Sequence, residues 1–131
     1  MKILRMKASE LRIGNLVYEI INNYNEEVVK ITSLSDMFIG WSPYRNTGHH
    51  NHIKPIPLTE EWLFKLGFVE GSYLYKNYKV KAGDYWNSIK FYEGEWCYNN
   101  DYSDAGCYFL TTIKYVHELQ NLYFAINKTE L

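Results

Sequence analysis

Residues 55–68, PIPLTEEWLFKLGF, spell a helix that is punctuated at both ends. Thr59 is a good N-cap because its hydroxyl can accept from a first-turn N–H. Glu60 and Glu61 put negative charge at the positive end of the helix dipole. Leu58 before the cap and Leu63 four residues after it match a hydrophobic staple. Gly67 fits the left-handed position just past the last turn, and Phe68 can fold back on Leu63 in a Schellman stop. Trp62, Leu63 and Leu66 are left to bury. Every conspicuous residue has a helix-making task, and none is left over for chemistry. Glu60 and Glu61 do not make an acid–base pair, because adjacent helical residues point about 100° apart. A helix this short falls below the ~12–15 residues that an isolated helix needs. It must dock, so the stretch is expected to be a joint between two halves that share one core.

Ahead of the joint the text reads as strands. Ser9 to Leu11 suggests one helical turn, and Gly14–Asn15 a tight turn, since both residues tolerate positive φ. Residues 16–21 (LVYEII) and 26–34 (EEVVKITSL) are rich in β-branched side chains and read as strands across an asparagine-dense turn at 22–25. Period-2 alternation puts Val29 and Ile31 on one face and Val28, Lys30 and Thr32 on the other. Ser35–Asp36 turns the chain and Met37 to Trp41 returns it. The three short-linked strands resemble, in architecture, the start of a small SH3-like barrel. Residues 42–52 (SPYRNTGHHNH) form a polar loop. Residues 52–57 are extended, because each proline pushes its predecessor out of the α region, and make at most an edge strand.

After the joint comes a tyrosine-rich meander. Ser72 to Lys76 and Tyr78 to Lys81 alternate across a turn at Asn77. Ser88 to Tyr92 and Glu95 to Tyr98 flank Glu93–Gly94, a two-residue hairpin signal. Residues 99–106 form a loop and Cys107 to Thr112 a last strand. Val116, Leu119, Leu122, Tyr123 and Ile126 then recur at helical spacing and give one apolar stripe. The expected class is α+β: a β-meander to about Ile56, a short helix, an antiparallel sheet and a C-terminal amphipathic helix. Residues 1–57 are expected to form an N-terminal β subdomain and 58–131 a helix–sheet–helix subdomain on a common core. A chain of 131 residues suits one domain or two such halves, and is long enough to fold without staples.

At this point three blocks, KASELRIGNLVY, PIPLTEEWLFKLGF and IKYVHELQNLYFAI, resemble a family of small uncharacterised proteins common in Bacteroidetes genomes, prophages and mobile elements. The blocks follow one another in order over roughly a third of the chain. The resemblance implies a context, accessory genes of phages and mobile DNA, and no activity or site residues. It also implies that translation starts at either Met1 or Met6, with Met1 to Arg5 as a leader or a start-site choice.

Charge and cysteine usage narrow the function classes. With 14 basic and 15 acidic side chains the net charge is −1, which gives no overall pull on nucleic acid or an anionic membrane. Cys97 and Cys107 form no CxxC pair, which excludes a disulfide scaffold and a four-cysteine zinc site. The opening MKILRMK lacks the apolar run of a signal peptide, and no stretch approaches the ~20 apolar residues of a membrane span. A soluble, cytoplasmic protein is expected. His49, His50 and His52 are the sharpest metal candidates, since His50 and His52 on a strand would face the same way. No third ligand is evident, and adjacent histidines in a Gly/Asn loop read first as solvated surface. Cys97 or Cys107 with His117 as base lacks any supporting signal. Asn99, Asp101, Ser103 and Asp104 lack the glycine and closing glutamate of a calcium loop. No cofactor and no metal are therefore expected.

The tyrosines stand apart. Aromatics make up 18% of the chain and 13 residues are Tyr, more than one sheet face can hide. Exposed Tyr and Trp give large contact area at low entropy cost, which suits protein recognition. Tyr73, Tyr75, Tyr92, Trp96 and Tyr98 are the expected protein-binding residues. The leading expectation is a non-enzymatic phage or mobile-element accessory protein that binds a host or phage protein, inhibiting a defence or replication component. A first alternative is a single-stranded nucleic-acid-binding protein, with Lys76, Lys79, Lys81 and Lys90 interleaved among the rings. A second is a small metal-dependent enzyme built on the His49/His50/His52 loop. The bland reading is a helix-covered sheet with tyrosines at its rim.

Overall fold

The computed structural model describes residues 6, 8–22, 25–35, 39–42, 46–48, 52–71, 77–82, 85–99 and 111–131. They form an α+β protein with two antiparallel five-stranded sheets and two helices. The chain divides into two compact units, Met1–Pro57 with Tyr115–Asn121 and Leu58–Lys114 with Leu122–Leu131.

In the first unit a 3-10 turn at Ala8–Glu10 leads to strands β1 (Leu16–Ile20), β2 (Glu26–Leu34), β3 (Ile39–Ser42), β4 (Asn46–Gly48) and β5 (Ile53–Lys54). Their order is β4-β3-β2-β1-β5, a meander whose last strand returns to the free edge of β1. Gly14 takes φ +100 in the turn that feeds β1, as the Gly-Asn signal requires. Val29 and Ile31 point into the core and Val28, Lys30 and Thr32 outward, as alternation dictates. The core gathers Met6, Leu11, Val17, Val29, Ile31, Ile39, Trp41 and Ile53, with Leu34 packed against it. β5 is an edge strand, paired at Tyr18↔Lys54 and Glu19↔Ile53. The polar loop expected over 42–52 instead contains β4, which pairs Ile39↔Gly48 and Trp41↔Asn46. Asn-Thr-Gly carries no strand propensity of its own, so the partner strand supplies the order.

The second unit opens with helix α1 (Glu60–Lys65), whose ends follow the sequence closely. The Thr59 hydroxyl accepts from the Trp62 N–H at 3.3 Å. The N–H groups of Phe68 and Gly67 bond the carbonyls of Leu63 and Phe64 at 2.9 and 3.1 Å, the paired bonds of a Schellman stop, with Gly67 at φ +97. Then come β6 (Val69–Glu70), β7 (Asn77–Ala82), β8 (Tyr85–Tyr92), β9 (Glu95–Asn99) and β10 (Thr111–Ile113), in the order β10-β9-β8-β7-β6. Glu93 and Gly94 both have positive φ, 51 and 79, which makes the β8–β9 link a type I′ turn. Asn77 is not a turn: it begins β7 and pairs with Lys90, so asparagine content alone misplaced it. The strand expected over Ser72–Lys76 lies outside the described residues.

Helix α2 (Val116–Asn127) begins in the first unit and ends in the second. Of its expected stripe, Val116, Leu119 and Tyr123 are buried, and Leu122 and Ile126 are half-buried. Two polar residues are buried as well, His117 and Gln120. Gln120 accepts from the Leu16 N–H at 2.9 Å, and Asn121 accepts from the Asn15 side-chain amide at 2.7 Å and from Arg12 Nε at 3.3 Å. Among the described residues no helix is long and apolar enough to cross a membrane.

Candidate protein-binding surface

The register of the second sheet separates its residues into two faces. Cross-strand pairing joins Tyr78, Ile89 and Tyr98 on one face, with Phe91, Trp96 and Ile113 beside them. The other face carries Lys79, Lys81, Ser88, Lys90, Cys97, Tyr92 and Glu95. Helix α1 and the second half of α2 cover the first face. Tyr123 is buried there, and Asn127 and Asn87 exchange side-chain hydrogen bonds at 3.2 and 3.3 Å.

Four rings follow one another in contact along that first face. Phe64 on α1 meets Tyr78 at 5.8 Å and 73°, Tyr78 meets Trp96 at 5.8 Å and 61°, and Trp96 meets Phe91 at 4.9 Å and 59°. These separations are the favoured aromatic range. The inner members are fixed by hydrogen bonds. Trp96 Nε1 donates to the Leu58 carbonyl at 3.0 Å and the Tyr78 hydroxyl to Glu60 at 2.6 Å. Burial, the hydrogen bond and charge of Glu60, and then the charge of Glu70 push the Tyr78 phenol up to about 12. The outer members are open: Phe64 is 44% exposed and Phe91 46%. Trp96 is half-buried between them. The result is a hydrogen-bonded aromatic strip with two accessible ends.

The five tyrosine and tryptophan positions expected to bind a protein do not make one surface. Tyr73 and Tyr75 lie outside the described residues. Tyr92 is 45% exposed, but on the face opposite Trp96. Tyr98 is a correction. It is fully buried, and its hydroxyl donates to Asn87 at 2.6 Å, so it is a core residue and no partner can reach it. Phe64 and Phe91 were missed. The two-residue Glu93–Gly94 turn fixes Phe91 opposite Trp96, a signal available in the sequence. Phe64 follows Glu60 and Glu61 by one helical turn, off the Leu63 side, and so had to emerge beside them.

His49, His50, Cys107, Asp101, Ser103 and Asp104 lie outside the described residues, while His52 is exposed just before β5. Among the described residues no cluster of His, Cys, Asp or Glu could hold a metal ion. Burial, then Glu95 and Glu93, push the buried Cys97 thiol up, which disfavours a thiolate. His117 is buried and stacked on Tyr115 at 5.8 Å, and burial pulls its imidazole down. No family model matches the chain, nor does any curated protein or solved structure.

Proposed function

We propose that this chain is a non-enzymatic accessory protein of the phage and mobile-element kind, acting in the cytoplasm by contact with a host or phage protein. The observation that carries the protein-contact reading is the aromatic strip, in which exposed Phe64 and Phe91 bracket a hydrogen-bonded Trp96. Pre-ordered rings lose little entropy on binding, and aromatic anchors with fixed rotamers dominate protein interfaces. The mobile-element context rests on the resemblance of the three blocks, and a defence or replication component is the partner such a context favours. The test is affinity capture from host lysate with wild type and with Phe64→Ala/Phe91→Ala. A partner retained by wild type and lost by the double variant supports the reading. Equal recovery by both overturns it.

A second reading is favoured by one observation. Lys79, Lys81, Lys90 and Tyr92 share the opposite face of the same sheet. Cations around an exposed ring suit single-stranded nucleic acid, although Glu95 sits directly across from Tyr92. Single-strand DNA and RNA titrations at two salt concentrations decide between the two. Micromolar binding with a steep salt slope, lost in Tyr92→Ala and kept in Phe91→Ala, selects the second reading.

A further inference from the structure

The surroundings of the aromatic strip are acidic. Glu60 and Glu61 stand one turn before Phe64 on α1, and Glu60 touches the strip directly through the Tyr78 hydroxyl. Glu70 pairs with Tyr78 across β6 and β7, and Glu93 turns the chain just beyond Phe91. Among the described residues, Lys65, whose ammonium already sits over the Trp62 ring at 4.7 Å, and Lys114, next to Ile113, lie in the same neighbourhood. The chain as a whole balances 14 basic against 15 acidic residues, so the excess of carboxylates here is local.

We infer that the strip receives a basic segment of a partner protein, one bearing arginine or lysine side chains. This rests on the protein-binding reading of the same surface and adds the chemistry of the partner. A guanidinium or ammonium laid on an exposed ring is held by the ring quadrupole, and flanking carboxylates strengthen it at both ends. The Lys65–Trp62 contact is the same interaction made within the chain. An acidic segment, or a polyanion, would meet like charge at Glu61, Glu70 and Glu93, which selects against it.

The test is selection of a random peptide-display library on the immobilised full chain, with immobilised Phe91→Ala as counter-selection. Peptides enriched on wild type alone should carry more arginine and lysine than the input. A labelled member should lose at least about tenfold in affinity in Glu61→Gln/Glu93→Gln and again when salt is raised to ~0.5 M, where screening is nearly complete. Both glutamates are exposed, so the double variant keeps its fold. Enriched peptides that depend on Phe91 but are neutral or acidic overturn the basic-partner inference and leave the protein-binding reading standing. No enrichment over the Phe91→Ala control overturns both.

Discussion

The Tyr98 hydroxyl donates a 2.6 Å hydrogen bond to the amide oxygen of Asn87, and both side chains are fully buried. Asn127 completes the group by exchanging amide bonds with Asn87 and donating to the Tyr123 carbonyl at 3.0 Å. Polar groups taken out of water must be paired, so this trio specifies how the sheet and the end of α2 meet within the second unit. Tyr98→Phe removes one donor and leaves Asn87 its bonds to Asn127. It should cost about 1 kcal/mol. Asn87→Leu removes the acceptor of the tyrosine hydroxyl and both bonds to the Asn127 amide together and should cost about 2–4 kcal/mol. Urea midpoints at constant m-value measure both. Equal costs for the two variants would show that the network is not shared.

Trp62 lies on the buried side of α1 with Leu63, and its ring is capped by Lys65. Trp62→Ala should destabilise by about 3 kcal/mol or more, the usual consequence of emptying a large aromatic site. A loss under about 1 kcal/mol, read from the urea midpoint, contradicts docking of the helix through this face.

The residues 115–121 belong with the first unit, and they complete its hydrogen bonding. Gln120 receives the Leu16 N–H, and its own amide donates to the Gly14 carbonyl at 3.4 Å. A fragment of residues 1–57 lacks these partners. It should show little tertiary structure by near-ultraviolet circular dichroism and amide exchange. In the full chain Gln120→Met keeps the volume but leaves the Leu16 N–H unpaired, at a cost of about 1–3 kcal/mol. A well-ordered 1–57 fragment would show that the β-meander needs nothing from α2.

How much of this was legible depends on how local the determinants are. The caps of α1 are legible in the sequence, because Thr59, Gly67 and Phe68 act through bonds spanning three to five residues, whereas Leu66, expected to bury, is only half-buried. The β8–β9 register was readable for the same reason, from Glu93–Gly94. Alternation correctly parted Tyr78 and Val80 from Lys79 and Lys81. It does not say which face a helix covers, and so Tyr98 looks like surface in the sequence and is core in the structure. Asn15, Asn87 and Gln120 are buried because of partners 40 to 106 positions away, and composition assigns such residues to the surface. The aromatic strip lay half within reach: Phe91 beside Trp96 follows from the turn, whereas Phe64 against Tyr78 needs the docking of α1.

The turn itself offers a stabilising change. Glu93 holds φ 51, a left-handed value that asparagine tolerates better. Glu93→Asn should raise stability by about 0.5–1 kcal/mol, and Gly94→Ala, at φ 79, should lower it by about 1 kcal/mol or more. Nothing lies within 4 Å of a Cβ placed on Gly94, so the cost is purely conformational. Thermal midpoints of the two variants should move in opposite directions.

Stability should be highest between roughly pH 6.5 and 10 and fall on both sides, for identifiable reasons. On the alkaline side burial pushes the phenols of Tyr78 and Tyr98 up to about 12, the Tyr78 phenol with added help from Glu60 and Glu70. An acid whose folded pKa is raised keeps its full contribution below the unfolded value of about 10 and loses it as pH climbs toward 12. On the acid side burial pulls the His117 imidazole down against the opposing charges of Glu118 and Glu10, and its Nδ1 is buried with no partner. A base whose folded pKa is lowered contributes fully above the unfolded value of about 6.5 and loses that contribution as pH falls below it. His117→Leu should therefore flatten the fall in unfolding free energy below about pH 6.5 while leaving the alkaline limb intact. Tyr98→Phe should flatten only part of the alkaline limb, since Tyr78 still titrates there. Urea titrations across pH 5 to 12 for wild type and both variants test the assignment, and an unchanged acid limb in His117→Leu would refute it.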